Sequence, residues 1–437
     1  MKRPELLSPA GTFKNLRYAL AYGADAVYAG LPRYSLRVRN NDFRDLAAIK
    51  RGIDYCHERG KTFLLATNAI PHSAKLKTFL DDMAPIIELG PDALIMADPG
   101  LILLVREHFP DMAIHLSVQA NTMNSQSVRF WQQQGVERVI LSRELSLDQV
   151  EEIRQDCPDM ELEVFVHGAL CIAHSGRCLL SGYFNHRDAN QGTCTNSCRW
   201  QYSVSDAISA DALNEANACC SDDMERHPAA DEVYYLQEEQ SPGELMPIEE
   251  DEQGTYIMNS KDLRAVEHVA RLVEIGVDCL KIEGRTKSHY YTARTTSVYR
   301  QAIDDAMAGR ELNPAHLAEL SALANRGYTD GFFQRHTPEA MQSYLESASQ
   351  SAHQQFVGEL EEAGEDGWTW VDVKNRFRVG DTMEFIAPGG SQRFELTELR
   401  NERGEAIQVA PGSGHRVQLK LPRNFDAMGL LTRVDSD

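Results

Sequence analysis

Eight short apolar runs, each trailed by a segment with helical signals, recur along the first two thirds of the chain and constrain its fold most. The runs are Glu5–Gly11, Ala26–Gly30, Thr62–Asn68, Ala93–Asp98, Ala113–Gln119, Arg138–Arg143, Glu161–Gly168 and Cys279–Gly284. Strand–helix alternation implies a parallel sheet covered by helices. Eight such units in roughly 300 residues fit an α/β (β/α)8 TIM-like barrel. An open doubly wound sheet is the alternative, but no G-x-G-x-x-G follows any of these runs, which removes the support for a dinucleotide fold. Helix signals agree with the alternation. Thr12 caps a helix through Leu16 and Leu20 that stops at Gly23, and Ser146 with Gln149 forms a capping box. Asn259 or Ser260 is expected to cap a helix through Leu263, Val266, Ala270 and Val273, ending at Gly276, and the last barrel helix is expected over His289–Met307.

The seventh unit is abnormal. About 110 residues separate Gly168 from Cys279. They hold a cysteine cluster at 171–198, a candidate hairpin pairing Gln201–Asp206 with Thr255–Ser260, and a polar insert at 205–254. That insert carries fifteen acidic residues and one basic residue, Arg226, so it accounts for −14 of the net −21 and leaves −7 on the rest of the chain. It reads as a solvated or partly disordered excursion. The average charge argues against a nonspecific polyanion binder, but an average that one insert dominates says little about a local mouth. The barrel is expected to occupy 1–340, with a further helical stretch through Ser321–Ala324 toward Phe332. A linker at 341–355 leads to a small C-terminal all-β, barrel-like domain at 356–437, with strands at Trp368–Val373, Thr382–Ile386, Phe394–Glu398 and Val417–Leu421. No apolar stretch is long enough to span a bilayer, and the N-terminal residues lack the apolar core of a signal peptide. The expectation is a cytoplasmic protein with no membrane partner, in which the nine cysteines do not pair as structural disulfides.

A barrel places its chemistry at the C-terminal strand ends. Those ends supply Asn68, Ser117, Gln119, Asn121, Arg143, His167, Glu283 and Arg285, with Arg37 from a neighbouring loop. Arginine can hold a carboxylate or phosphate in bidentate fashion. Amides and hydroxyls can read a heterocycle's edge, and His167 and Glu283 are the proton-transfer candidates. Each also has a plain structural reading: Glu283 and Arg285 as a pair closing the barrel, His167 as a satisfied buried imidazole.

The cysteines follow Cys171-x6-Cys178-x15-Cys194-x3-Cys198. Four thiolates hold zinc or an iron–sulfur cluster. Neither short gap is the x2 of a zinc knuckle, so the spacing favours a 4Fe–4S cluster over zinc or unligated thiols. Cys219 and Cys220 are adjacent in sequence and left out.

The blocks Glu163-Val-Phe-Val-His-Gly-Ala-Leu-Cys171 and Ser175-Gly-Arg-Cys178-Leu-Leu-Ser181 resemble the signature of the collagenase-like peptidase family of unassigned mechanism. Leu7-Ser-Pro-Ala-Gly11, Ser117-Val-Gln-Ala-Asn121 and Lys281-Ile-Glu-Gly-Arg285 are similar to its other blocks. Tyr34-Ser-Leu-Arg-Val-Arg-Asn-Asn41, Asp98-Pro-Gly-Leu101 and Asn190–Trp200 resemble a branch that hydroxylates tRNA. The resemblance covers about residues 1–340 and extends into the β module, with the segment around Asp206–Gln253 unmatched. It implies 5-hydroxylation of the wobble uridine in the tRNA anticodon loop, with prephenate as cosubstrate. It also implies a 4Fe–4S cluster on Cys171, Cys178, Cys194 and Cys198, and a barrel fold. A ubiquinone-precursor hydroxylase and a peptidase are the alternatives. For the latter the sequence offers no H-E-x-x-H and no G-x-S-x-G, and cysteines committed to a cluster cannot act as nucleophiles.

Overall fold

The computed structural model describes residues 2–36, 41–170, 174, 234–237, 245–251, 254–256, 261–325, 327–334, 354–363, 367–422 and 428–434. Arg37, the four candidate ligand cysteines, Cys219, Cys220 and most of the acidic insert lie outside them.

Eight parallel strands form one closed barrel: β1 (Glu5–Pro9), β2 (Ala26–Gly30), β3 (Thr62–Thr67), β4 (Ala93–Met96), β5 (Ile114–Leu116), β6 (Arg138–Ile140), β7 (Glu161–Ala169) and β8 (Cys279–Ile282). Each pairs with its sequence neighbour, and closure comes from β8, which pairs with β1 (Leu6 opposite Leu280) and with β7 (Leu280 opposite Val164). Strands such as β2 and β4 are buried at every position, as a sheet covered on both faces requires. The covering helices are α1 (Phe13–Ala21), α2 (Leu46–His57), α3 (Phe79–Ile87), α4 (Pro99–His108), α5 (Ser125–Gln133), α6 (Leu147–Asp156), α7 (Val269–Ile275) and α8 (His289–Met307). The expected caps form: the Thr12 side chain accepts from Asn15 N, and Ser146 and Gln149 exchange both capping-box bonds.

Three expectations are corrected. The stretch read as the start of α7 is instead a short strand, Asp262–Arg264, running antiparallel to β7 with Leu263 opposite Gly168. The helix begins only at Val269, after a single 3-10 turn, and ends at Gly276 as expected. The free edge of β7 offers that segment a hydrogen-bonding ladder, and tertiary pairing overrides the helical period. The helical stretch read through Ser321 toward Phe332 is a short helix, Ala315–Ser321, followed by a two-residue strand, Tyr328–Thr329, which pairs with Asp262–Leu263. Gly327 and Gly331, both at positive φ, break the helix there. Thr255 of the candidate hairpin pairs with Glu250, in a three-stranded antiparallel sheet of Tyr234–Gln237, Leu245–Asp251 and Gly254–Tyr256, while Gln201–Asp206 lie outside the described residues.

The C-terminal region is all β. Its seven-stranded antiparallel sheet runs Gly390–Glu395, Thr382–Ala387, Leu430–Val434, Gln354–Ala363, Trp368–Val373, Arg416–Lys420, Leu399–Arg400. The first and last of these strands in chain order, Gln354–Ala363 and Leu430–Val434, were not expected. The first begins two residues inside the segment read as a linker, and Glu359, Glu361 and Glu362 interrupt its alternation. The core is Val357, Val371, Val373, Met383, Phe385, Leu419 and Leu431. Twelve positions of α8 are buried, because the helix packs against α1, α7 and β1 of the barrel and also meets this sheet. Arg294 of α8 donates to both oxygens of Glu384 at 3.0 and 3.1 Å and to Glu319 at 3.1 Å, while Tyr290 stacks on Phe356.

Candidate active site at the barrel mouth

The C-terminal strand ends surround a cavity of about 80 Å3. Its wall brings together Asn68 after β3, Ser117 and Gln119 after β5, Arg143 after β6, and Glu283 and Arg285 after β8. Asn68 is held from two sides: its Oδ1 accepts from Leu36 N and its Nδ2 donates to Ser117 Oγ, both at 3.3 Å. Arg285 Nη1 donates to Ser35 Oγ at 2.7 Å, and its guanidinium lies 5.5 Å from the centre of the Tyr28 ring. Arg143 stacks over Phe165 at 4.0 Å and donates from Nη1 to Ala169 O at 2.8 Å; its buried Nε has no partner among the described residues. Leu36, also in the wall, is the last described residue before Arg37.

Two nominated residues are placed away from the wall. Asn121 closes the 3-10 turn Val118–Ala120 in the left-handed conformation, and its Nδ2 contacts His174 Nδ1 at 2.7 Å and His174 O at 3.1 Å. It thereby ties β5 to the one described residue between Cys171 and Cys178. His167 is the larger departure. By strict alternation it shares a face with Glu163 and Phe165, toward the barrel interior. A bulge opposite Lys281 and Ile282 inserts a residue into β7, so that Phe165 faces Lys281 but His167 faces Ile282. The imidazole is thus turned toward α8, among the rings of Tyr291, Tyr299 and Tyr328, and is 1% exposed. Burial, with Lys287 and Arg264 adding to it, lowers its pKa to about 3 and keeps it neutral. Gly168, at φ +111, lets the chain pass Glu283 so closely that an added Cβ would meet the Glu283 carbonyl oxygen at 2.5 Å.

The wall also contains Tyr28, Phe165 and Lys281, which the sequence reading did not select. Lys281 was detectable: it lies two residues before Glu283 on one strand and so shares its face. Its Nζ donates to Glu163 Oε1 at 2.7 Å and lies 4.4 Å from the Tyr28 ring centre. Glu163 also meets Arg138 at 3.4 Å, and Arg138 in turn holds Glu5 and Glu161, each at 2.7 Å. Burial works against ionisation of Glu163, yet the charges of Lys281 and Arg138 hold its carboxyl below the usual range. Burial pulls the Lys281 ammonium down, and Glu163 opposes that shift. Among the described residues, no group of three or more His, Cys, Asp or Glu is arranged to hold a metal, and no helix is long and apolar enough to cross a membrane.

Taken together, these features define a (β/α)8-barrel protein whose mouth is lined by cations, amides, a hydroxyl and a carboxylate. The chain belongs to peptidase family U32: the family model matches residues 11–343, and the model of the U32 C-terminal domain matches residues 352–432. It is 56% identical to tRNA hydroxylation protein P of Escherichia coli K12, over 98% of this chain and 95% of that one. It is 53% identical to the protein of the same name in Haemophilus influenzae, over 97% and 94%. It is also 30% identical to the 23S rRNA 5-hydroxycytidine C2501 synthase of E. coli, over 76% of this chain and 43% of that protein.

Proposed function

We propose that this chain is a tRNA-hydroxylating enzyme that installs the 5-hydroxyl of the wobble uridine, with prephenate as cosubstrate. The observation that carries the reading is the 56% identity, over nearly the full length of both chains, to a protein named for tRNA hydroxylation. The 5-hydroxycytidine synthase among the relatives supports the C5 position of a pyrimidine as the point of attack.

The mouth suits those ligands. Prephenate carries two carboxylates, and Arg143 and Arg285 stand on one cavity wall. The unpartnered Nε of Arg143 is a donor awaiting an acceptor. Asn68, Ser117 and Gln119 offer amide and hydroxyl groups to a uracil edge, which must be splayed out of the anticodon loop to reach them. Glu283 is the carboxylate in the same wall and takes the role of proton acceptor. His167 serves as a neutral packing group beneath the β7–β8 ends. The donor set Cys171, Cys178, Cys194 and Cys198 has the chemistry of a 4Fe–4S site, and a cluster held there would supply electron transfer or Lewis acidity. The hydroxylase reading places the enzyme with tRNA, in the cytoplasm.

Nucleoside mass spectrometry of tRNA from cells lacking the gene, with no redundant enzyme present, tests the reading. Loss of 5-hydroxyuridine derivatives, restored by the intact gene, is expected; unchanged levels refute it. Omitting prephenate in vitro tests the cosubstrate. Anaerobically purified protein should hold close to four iron and four sulfide per chain, both lost in Cys171→Ala and in Cys194→Ala; zinc in their place refutes the cluster.

A further inference from the structure

We propose that Lys281 is a catalytic residue of the mouth cavity, whose ammonium donates to the C4 oxygen of the pyrimidine as negative charge builds there. The inference rests on the hydroxylase reading and extends it to one reaction step. A pyrimidine oxygenated at C5 must lose its C5 hydrogen, and that hydrogen is α to the C4 carbonyl. In an intermediate that carries the new oxygen on a tetrahedral C5 and a hydroxyl on C6, the C5–H bond breaks, the proton passes to a carboxylate and the bonding pair spreads onto the C4 oxygen as an enolate, which re-forms the C5=C6 bond as the C6 hydroxyl takes up a proton and leaves as water. No oxidant is consumed in this step. A fixed cation at that oxygen lowers the barrier, because a preorganised donor acts most strongly where charge develops out of water.

Lys281 is built for such a role. It is 2% exposed, in the same wall as Glu283, and its side chain runs between the rings of Tyr28 and Phe165, with Nζ 4.4 and 5.3 Å from their centres. One of its N–H directions is taken by Glu163 at 2.7 Å. Glu163 is itself anchored by Arg138, which has two further carboxylates of its own. The network thus fixes the ammonium in position, with Lys281 the nearer of the two cations that hold Glu163. A purely structural ion pair is the competing account. Buried pairs of that kind are often replaceable by apolar residues at little cost, whereas removing one partner leaves an uncompensated charge.

That contrast supplies the test. The double variant Lys281→Met/Glu163→Leu removes both charges together and leaves Arg138 with Glu5 and Glu161. It is expected to melt near the wild type and to bind tRNA unchanged, while single-turnover hydroxylation falls by about 100-fold. Hydroxylation within a few-fold of wild type overturns the proposal. If the double variant does not fold, Lys281→Gln decides in the same assay, since its amide still donates to Glu163 but carries no charge. A rate near wild type overturns the proposal, and a loss of about 100-fold with intact tRNA binding supports it. A wild-type enzyme that leaves tRNA unhydroxylated refutes the hydroxylase reading itself, which is a separate outcome.

Discussion

Gly168→Ala tests how the site is built, because this glycine sits where β7 passes the end of β8. Its φ is +111, and an added Cβ would lie 2.5 Å from Glu283 O, 2.8 Å from Glu283 Cβ and 3.0 Å from Glu283 C. Two of those three atoms are backbone, and Glu283 N is hydrogen-bonded to His167 O at 2.8 Å, so the neighbour cannot swing aside. The unfavourable dihedral costs about 1–3 kcal/mol, and the forced separation adds about 1–3 kcal/mol of overpacking. Gly60→Ala is the control: its φ is +63, but no atom lies within 4 Å of the added Cβ. That change should cost only about 1–2 kcal/mol. Urea unfolding of the two variants side by side is expected to show Gly168→Ala as the less stable by about 2 kcal/mol. Its hydroxylation rate should fall as well, since the displaced Glu283 carries the wall position next to Arg285. Equal losses of stability, or full activity in Gly168→Ala, refute the close-approach argument.

The buried contact between α8 and the C-terminal sheet gives a second expectation. Arg294→Met strands Glu384, 5% exposed, without its arginine, and should cost about 3–5 kcal/mol; limited proteolysis should then cut between barrel and sheet, and Arg294→Met/Glu384→Leu should restore much of the resistance. A third concerns acid stability. Burial holds His115 and His167 at about 3 in the fold, while an unfolded histidine titrates near 6.5. Their contribution is therefore complete above pH 6.5 and is lost as pH falls from 6.5 toward 3. His167→Phe keeps a ring among the tyrosines and should flatten the drop in urea midpoint between pH 7 and pH 5; an unchanged slope shows that His167 is not held neutral.

The barrel was legible because its signal is repeated. Eight apolar runs, each with turn and cap chemistry on its flanks, gave all eight strands and the helix His289–Met307. The errors fall where pairing partners are remote in sequence. Asp262–Arg264 has a helical pattern and becomes a strand only because β7 has an edge to offer. Gln354–Ala363 carries Glu359, Glu361 and Glu362, which break the alternation expected of a strand inside the small β domain. The same distinction holds in the site. Asn68, Ser117, Gln119, Arg143, Glu283 and Arg285 followed from strand ends and converge on one cavity. His167 did not, because one bulged residue inverts its face, and a bulge leaves no mark in local composition. Lys281 was overlooked inside an apolar strand, although its spacing from Glu283 already placed it on the interior side.

The architecture of β7 explains how one barrel tolerates so long an excursion between its seventh and eighth strands. The first part of β7 pairs with β6 and β8 and completes the closed sheet. After the bulge, Gly168 and Ala169 leave the barrel ladder and pair with Leu263 and Asp262 on the returning chain. The departing and returning segments therefore run side by side before the barrel resumes. The cost of closing a loop grows only slowly with its length once its ends are pinned together. The barrel core thus bears little of the thermodynamic burden of the segment between them, however acidic or long. The mouth keeps its own charge pattern, set by Arg143, Lys281 and Arg285 against Glu163 and Glu283. Since those groups sit on or just after barrel strands and two thirds of the net charge lies in the insert, the acidity of the whole chain is a poor guide to what the cavity binds.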